Sequence, residues 1–169
     1  MAQTHDTSAT NGGATFPRAG HDHVSCVKSA VEKAYQICET RHIRMTDLRK
    51  RVLELVWRSH KPIGAYDILD VLHRERGGAA PPTVYRALDF LREAGLIHRI
   101  ESLNAFVGCA EPEHDHAGQF LICRTCGTVA EISDPVLDTA VLGVASRAGF
   151  AIERRTIELQ GLCPDCLTC

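Results

Sequence analysis

Two Cys-x-x-Cys motifs constrain the fold of this 169-residue chain more strongly than any other part of its sequence. They are Cys123-Arg-Thr-Cys126 and Cys163-Pro-Asp-Cys166. Together they offer four thiolates, the complete tetrahedral ligand set of a closed structural zinc site, and four unrelated buried cysteines would not pair in this way. The segment between the motifs is longer than in a zinc ribbon, so we expect the metal to clamp a whole small domain.

A further cysteine leaves one alternative open at this site. Cys169 follows Cys166 with the same x-x spacing, so these two could replace Cys163 and Cys166 as the second ligand pair. We favour Cys163 because it stands next to a strand-like segment, whereas Cys169 is at the C-terminal end. A thioredoxin-like redox role would need only one pair, on a βαβ frame that the sequence does not indicate.

The composition is that of a compact globular protein. It is 44% hydrophobic and 24% charged, which suits one or two soluble domains, and no run approaches the roughly 18–20 apolar residues of a membrane span. Residues 1–20 are polar and rich in Gly, Thr and Ala, which predicts a disordered tail and no signal peptide. We therefore expect a cytoplasmic protein without membrane contact, whose eight cysteines stay reduced and favour metal over disulfides. His21-Asp-His23 is interpreted as disordered or tag-like, although it could contribute to an extra metal site.

Charge is distributed unevenly along the chain. Residues 41–100 carry 12 Lys or Arg against 7 Asp or Glu, whereas residues 101–169 carry 4 against 10. A basic middle and an acidic end indicate two modules, the first of which suits a polyanion such as nucleic acid.

Apolar periodicity predicts four helices and a hairpin in the first module. Thr46 is the expected N-cap of the second helix, and Gly95 ends the fourth. The predicted segments are helices at 24–40, 47–60, 65–75 and 83–93, then alternating strands at 96–100 and 105–108. Three helices followed by a two-stranded wing are typical of a winged helix-turn-helix domain, with the fourth helix as the candidate recognition helix.

The second module mixes strands with one helix. Strands are predicted at 119–123, 127–132 and 150–158, and a helix from Asp134-Pro135 to Ala148. The inner face of that helix is predicted to carry Val136, Leu137, Ala140, Val141 and Val144. The fold class is therefore α+β. A disordered tail (1–20) precedes an N-terminal winged helix-turn-helix domain (21–108) and a small α/β domain with structural zinc (109–169).

A second group of metal-binding side chain types lies between the wing and the first cysteine motif. It consists of His98, Cys109, His114, His116 and Glu131. Imidazole, thiolate and carboxylate together suit Zn²⁺, and the soft sulfur disfavours Mg²⁺ or Mn²⁺ and weakens the case for Fe²⁺. Each residue also has an ordinary structural role on a strand or in a loop, so spacing alone leaves this site open.

Three sequence stretches resemble the ferric uptake regulator family, and most closely its zinc-responsive branch. They are Pro81-Pro-Thr-Val-Tyr-Arg-Ala-Leu-Asp-Phe-Leu91, Gly95-Leu-Ile-His98 and Cys123-x-x-Cys126-Gly127. The resemblance implies a non-enzymatic transcriptional repressor that binds palindromic operator DNA as a homodimer, in response to zinc, and controls zinc uptake genes. It also implies that the domain at 109–169 is the dimerisation domain. One departure is Thr46-Asp-Leu-Arg49, which stands where the family has Thr-Pro-Gln-Arg.

The resemblance also assigns metal ligands residue by residue. It implies a regulatory zinc site formed by His98, Cys109, His116 and Glu131. The four motif cysteines would then hold a structural zinc, which gives two Zn²⁺ per subunit. Because His98 is in the wing and the other ligands follow it, the regulatory metal would fix the angle between the winged-helix and dimerisation domains.

The candidate DNA contacts lie at the N-terminal end of the recognition helix and around it. Arg86 is predicted to contact a guanine, and Tyr85 a thymine methyl group or a phosphate unless it is a core aromatic residue. Thr83 shares that end of the helix, while Tyr66, Arg49 and Arg51 are candidate phosphate contacts.

Three alternative functions are less well supported by the sequence. An iron- or peroxide-responsive regulator of the same family is disfavoured by Cys109. A zinc hydrolase would need an open coordination position and a base, and the sequence has no His-Glu-x-x-His motif. A zinc-stapled protein-interaction module is disfavoured by the basic Pro-Thr-Val-Tyr-Arg helix.

Overall fold

A computed structural model describes residue 16 and residues 23–76, 80–113 and 118–168 of the chain. Predictions for the tail (Phe16 apart) and for His21, His114, His116 and Cys169 fall outside these residues. The prediction of disorder is wrong for His23, which is the first residue of a helix. The elements are α1 (His23–Thr40), α2 (Asp47–Val56), β1 (Ile63–Gly64), α3 (Ala65–Arg76), α4 (Pro81–Glu93), β2 (Ile97–Ile100), a 3-10 turn (Glu101–Leu103), β3 (Ala105–Gly108), β4 (Gly118–Cys123), β5 (Val129–Ile132), α5 (Pro135–Arg147), β6 (Thr156–Gly161) and α6 (Pro164–Leu167).

Local chemistry explains where the predicted helices begin. Thr46 has an extended backbone, and its hydroxyl accepts a hydrogen bond from the Arg49 amide (3.4 Å), as expected of an N-cap. Helix α4 begins at Pro81, two residues before the predicted start, because proline is well tolerated in the first turn. Helix α2 ends at Val56 and not at residue 60, since the chain turns there to enter β1.

The N-terminal domain (α1–α4 with β1–β3) is built on one apolar core. Residues from all four helices and from the wing share it, among them Leu53, Leu72, Leu88, Leu91 and Ile97, each at most 2% exposed. The wing has three strands in the order β1-β3-β2, all antiparallel. The predicted two-stranded wing was therefore incomplete, because β1 is only two residues long and Lys61-Pro-Ile-Gly64 was interpreted as a helix breaker.

The C-terminal domain (β4–β6 with α5 and α6) contains a three-stranded sheet in the order β5-β4-β6. Strand β5 is antiparallel to β4, whereas β6 is parallel to it. The strand predicted at 150–158 was misplaced, since the observed strand is Thr156–Gly161. Pairing with β4 decides its position, with Thr156 opposite Gly118 and Gly161 opposite Cys123.

Helix α5 differs from its prediction in burial. Asp134 caps it by accepting hydrogen bonds from the amides of Val136 (2.7 Å) and Leu137 (3.1 Å). The predicted inner face is not buried within the chain: Val136 is 78% and Val144 58% exposed, and no residue of α5 is buried. This open face lines an apolar groove of about 550 Å³ together with Phe150 and Ile152.

The two domains meet over a small buried cluster. Ile100 and Val107 from the wing pack with Phe120, Ile122 and Val129 from the second sheet. The observed architecture confirms the predicted α+β class, and it places β2 and β3 against β4 and β5. None of the described helices is long and apolar enough to span a membrane.

Candidate metal centres and nucleic-acid interface

The four motif cysteines converge at one end of the C-terminal sheet. Cys123 is the last residue of β4, and Cys126 lies in the turn that follows. Cys163 immediately precedes α6, which contains Cys166. The parallel pairing of β6 with β4 brings the two motifs together, so that all four Sγ atoms lie within 4.8 Å of one another. We call these four residues the tetracysteine cluster.

The electrostatics of the tetracysteine cluster favour a bound cation. A hydrogen bond from the Cys126 backbone, followed by one from Cys163, lowers the pKa of Cys123 to about 6. Cys166 behaves in the opposite way, since sharing a hydrogen bond with Cys163 raises its pKa to about 12. Four thiols this close cannot all ionise unless a positive charge compensates them, and tetrahedral Zn²⁺ fits four sulfur donors.

Three of the predicted regulatory ligands meet at the junction of the two domains. His98 comes from β2, Cys109 follows β3, and Glu131 comes from β5. One ligand atom from each lies within 4.8 Å of the other two, and His98 Nε2 is 2.8 Å from Glu131 Oε1. We call these three residues the junction cluster. Its predicted fourth member, His116, lies outside the described residues.

Backbone pairing explains how residues so distant in sequence meet. The Cys109 amide donates to the Leu96 carbonyl (3.1 Å), which extends the antiparallel β2–β3 ladder by one more bond. The other carboxylate oxygen of Glu131 accepts a hydrogen bond from the Ala110 amide (2.9 Å). Glu131 therefore contacts both the wing strand and the segment that leaves the wing.

The junction cluster lies in a tightly packed environment. The His98 ring meets Phe120 edge-on, with centroids 5.3 Å apart. A Cβ atom on Gly118 would lie 2.6 Å from Phe120, and one on Gly108 would lie 2.1 Å from the Trp57 ring. Sequence reasoning missed Gly108, Gly118 and Phe120, since nothing in their spacing pointed to the ligands.

Burial controls the chemistry of the junction cysteine. Cys109 is 3% exposed, and burial, reinforced by the nearby Glu131 carboxylate, raises its pKa to about 12. The thiol is thus protonated at neutral pH and must lose that proton to bind a metal. A thiolate, an imidazole and a carboxylate are a donor set that Zn²⁺ accepts.

The predicted recognition helix presents its polar face to solvent. Val84, Ala87, Leu88 and Leu91 face the core, whereas Thr83, Tyr85 and Arg86 are exposed. Tyr85 is 41% exposed and is therefore not a core aromatic residue. Tyr66 is 74% exposed and lines one cleft together with Tyr85, Arg92 and Arg99, between α3, α4 and the wing.

Two further arginines predicted at phosphates differ in their surroundings. The Arg49 guanidinium stacks 3.5 Å from the centroid of the Phe90 ring. Arg51 pairs with Glu75 (2.6 and 2.9 Å) and with Glu54 (2.7 Å), and the Glu75 hydrogen bonds raise its pKa further. Because two carboxylates already neutralise Arg51, a phosphate would have to compete with them.

Known proteins resemble this chain in sequence. The sequence model of the Ferric uptake regulator family matches residues 40–160. The zinc uptake regulation protein of Escherichia coli (strain K12) is 41% identical over 138 residues, which cover 80% of each chain.

Two solved proteins share this fold. A zinc uptake regulator complexed with zinc and DNA superposes with a TM-score of 0.80 at 38% identity, covering 84% of this chain and 95% of that one. Holo XcZur gives a TM-score of 0.77 at 40% identity, over 83% of this chain and 99% of its own. Apo XcZur gives a TM-score of only 0.50 at 38% identity, over 83% of this chain and 97% of its own. The arrangement of this chain is thus nearer to the holo form of that relative than to its apo form.

Proposed function

The chain belongs to the ferric uptake regulator family, and we propose that it is a zinc-responsive transcriptional repressor. It binds palindromic operator DNA as a homodimer in the cytoplasm and controls zinc uptake genes; it is a regulator and not an enzyme. The observation that carries this proposal is the junction cluster, because its three side chains come from two domains and meet within 4.8 Å. A metal held there ties the DNA-binding domain to the rest of the molecule.

Each residue of the junction cluster has its own role in coupling zinc binding to the arrangement of the two domains. His98 positions the wing, and Glu131 positions the C-terminal sheet against it. Cys109 gives up a proton when the site fills, and His116 is the proposed fourth ligand. A bound Zn²⁺ would coordinate these residues and would compensate the negative charge of the Cys109 thiolate and the Glu131 carboxylate. The joined domains then hold two recognition helices of a dimer at the spacing of two half-sites.

Zinc is favoured over iron by the donor set and by the relatives. Sulfur from Cys109 is a softer ligand than Fe²⁺ or Mn²⁺ sites usually contain. The Escherichia coli relative is named a zinc uptake regulation protein, and a solved neighbour is complexed with zinc and DNA. We propose two zinc ions per subunit, one in the tetracysteine cluster and one in the junction cluster.

The proposed DNA surface is the exposed N-terminal end of α4. Thr83, Tyr85 and Arg86 enter the major groove, and Arg86 contacts a guanine edge. Tyr66 and Arg49 contact the flanking phosphates, where the positive end of the helix dipole adds attraction. Arg51 remains a predicted phosphate contact, to be reached only if DNA displaces a carboxylate partner.

The proposed dimer surface includes the open face of α5. Its exposed apolar side chains would be costly to leave in water, and a second copy of the chain would cover them. A two-fold axis through this face would match the two-fold symmetry of a palindromic operator.

The test is operator binding as a function of metal. The full-length chain, loaded with zinc, is used to select duplexes from a random DNA library, and binding to the enriched duplex is followed by fluorescence anisotropy. Titration against buffered free Zn²⁺ should give tight binding, whereas Fe²⁺ and Mn²⁺ in the same range should not. A response to Fe²⁺ alone would favour the iron-responsive alternative, and binding independent of metal would refute the proposal.

Arg86→Ala probes the DNA surface in the same assay. Loss of a bidentate guanine contact should cost about 1–3 kcal/mol of specific binding. Arg58→Ala, an exposed arginine of the turn after α2, is the matched control and should bind as the wild type does. A change confined to the salt dependence would make Arg86 a phosphate contact.

A further inference from the structure

One row of residues across the C-terminal sheet faces the winged domain. Phe120 in β4 is opposite Glu131 in β5 and also opposite Glu158 in β6. Side chains at directly paired positions share one face of a sheet. The row therefore presents two carboxylates to the wing, with the Phe120 ring between them.

The two carboxylates contact different parts of the wing. Glu131 meets His98 at the junction cluster. Glu158 accepts hydrogen bonds from the backbone amides of Glu101 (2.6 Å) and Ser102 (3.1 Å) through its two oxygens. The first contact belongs to the proposed metal site, whereas the second involves no metal ligand.

The turn that Glu158 contacts has no N-cap side chain of its own. The 3-10 turn Glu101–Leu103 begins after Ile100, whose side chain offers no acceptor. The first amides of such a turn need a partner, and Glu158 provides it from the other domain. Although burial opposes ionisation, the hydrogen bonds from Ser102 and Glu101 hold the pKa of Glu158 below its ordinary value.

Neighbouring side chains reinforce the same contact between domains. Arg154 donates to the Glu101 carboxylate (3.0 Å), whose second oxygen is 3.3 Å from Arg99 Nε. Gln160 Nε2 donates to Ser102 Oγ over 3.4 Å. Charge-assisted hydrogen bonds are stronger than neutral ones, so the carboxylate contacts dominate this group.

We propose that Glu158 is a positioning residue that binds no metal and holds the wing turn against the C-terminal sheet, a contact called here the Glu158 latch. By this contact Glu158 sets the zinc concentration that the junction cluster needs. The regulatory part of this inference rests on the proposed function. Closure of the two domains then depends on the Glu158 contact as well as on the junction cluster, beside the apolar cluster and the neighbouring hydrogen bonds that also join the domains. Zinc binds tightly only when its ligands from both domains are together, so its apparent affinity scales with the fraction of closed molecules.

The decisive measurement is zinc affinity without DNA. Wild type, Glu158→Ala and Glu158→Gln, each with the tetracysteine cluster filled, compete with a chromophoric chelator for the junction zinc. Glu158→Ala should bind that zinc about tenfold more weakly, which corresponds to a lost charge-assisted hydrogen bond on a partly exposed surface. The zinc affinity of Glu158→Gln should lie between those of wild type and Glu158→Ala, since the glutamine side chain has only one oxygen that can accept a hydrogen bond.

Glu153→Ala is the matched control. It removes the same charge from an exposed position in the segment that leads into β6, and it should bind zinc as the wild type does. Circular dichroism and the mass of the dimer in solution establish that each variant is folded. If Glu158→Ala does not fold, comparison of Glu158→Gln with Glu153→Ala gives the same answer.

Operator binding separates failure of the latch from failure of the proposed function. Glu158→Ala should need about tenfold more free zinc than wild type but reach wild-type DNA affinity at saturation. Unchanged zinc affinity in Glu158→Ala overturns the latch, even if the wild type responds to zinc. A wild type that shows no zinc-dependent operator binding overturns the proposed function, and the chelator experiment still decides the latch.

Discussion

The tetracysteine cluster and the junction cluster are both compact, but they connect different parts of the molecule. In each, the ligand atoms lie within 4.8 Å of one another. All four thiols of the tetracysteine cluster come from the C-terminal domain, from the end of β4, the turn after it and the region of α6, whereas the junction cluster takes His98 from one domain and Glu131 from the other. A metal bound to the tetracysteine cluster would stabilise one domain, whereas a metal bound to the junction cluster would fix the angle between two domains.

The clusters also differ in their readiness to ionise. Hydrogen bonds from the backbone lower the pKa of Cys123 to about 6, whereas burial raises that of Cys109 to about 12. In the tetracysteine cluster Cys123 is therefore available as a thiolate at neutral pH, whereas in the junction cluster Cys109 must first lose a proton. We expect zinc to occupy the tetracysteine cluster permanently and the junction cluster only when the free zinc concentration is high.

Loss of the C-terminal fold is expected in Cys163→Ser, and no other substitution should have a stronger effect. A structural zinc site contributes on the order of 10 kcal/mol to folding in small metal-dependent domains. Zinc content should fall from the proposed two ions per subunit to one or none, with loss of the dimer and of the C-terminal melting transition. Metal analysis, mass in solution and circular dichroism measure these changes. A folded dimer with one zinc missing would show that the cluster is not structural.

Loss of the metal response without loss of fold is expected in His98→Ala. The dimer and the zinc of the tetracysteine cluster should remain, while operator affinity at saturating zinc should fall about 100-fold, the upper range of coupling energies between sites. His73→Ala, an exposed histidine on α3, is the control. If His98→Ala also loses the tetracysteine zinc, the two clusters are not independent and the comparison fails.

A more moderate change is expected from pH. Because the pKa of Cys109 lies far above neutrality, zinc binding at the junction displaces one proton from that thiol. Deprotonation of Cys109 should therefore make the zinc affinity of the junction cluster rise about tenfold per pH unit between pH 6 and 8. Calorimetry in buffers of different ionisation enthalpy measures the proton directly. Zinc binding that releases no proton would contradict the protonated state assigned to Cys109.

Cysteines outside both clusters should matter least. Cys26 and Cys38 lie on α1, half-buried and buried respectively. Cys26→Ser and Cys38→Ala should leave the zinc count at two per subunit and change the unfolding free energy by about 1 kcal/mol or less. A fall in zinc content would place a third metal site on α1 and make the two-cluster comparison incomplete.

The sequence supported the tetracysteine cluster better than the junction cluster. Each Cys-x-x-Cys motif places its two thiols together by local geometry alone, so the spacing is informative without a fold. His98, Cys109 and Glu131 are separated by other strands, and spacing left their site open until a family resemblance named them. Glu158 had no sequence signal, since it looks like any polar residue on a half-exposed strand.

Burial and register were the properties that sequence reasoning placed wrongly. Alternation in residues 150–158 suits a strand as well as Thr156–Gly161 does, and only pairing with β4 selects the second. The apolar stripe of α5 predicted a buried inner face, and that prediction was wrong within one chain, where Val136 is 78% exposed. A stripe indicates that a surface needs a partner, and it does not say whether that partner is in the same chain.

Local sequence was sufficient to specify the helices of the N-terminal domain, the α+β class and the cysteine pairs, because caps, periodicity and short spacings act over a few residues. Two contacts emerged from the folded chain alone: Phe120 separates two carboxylates, and Glu158 caps a turn in the other domain. These contacts depend on strand order and register between distant segments. Such pairing is set by the whole sheet, and no local pattern encodes it.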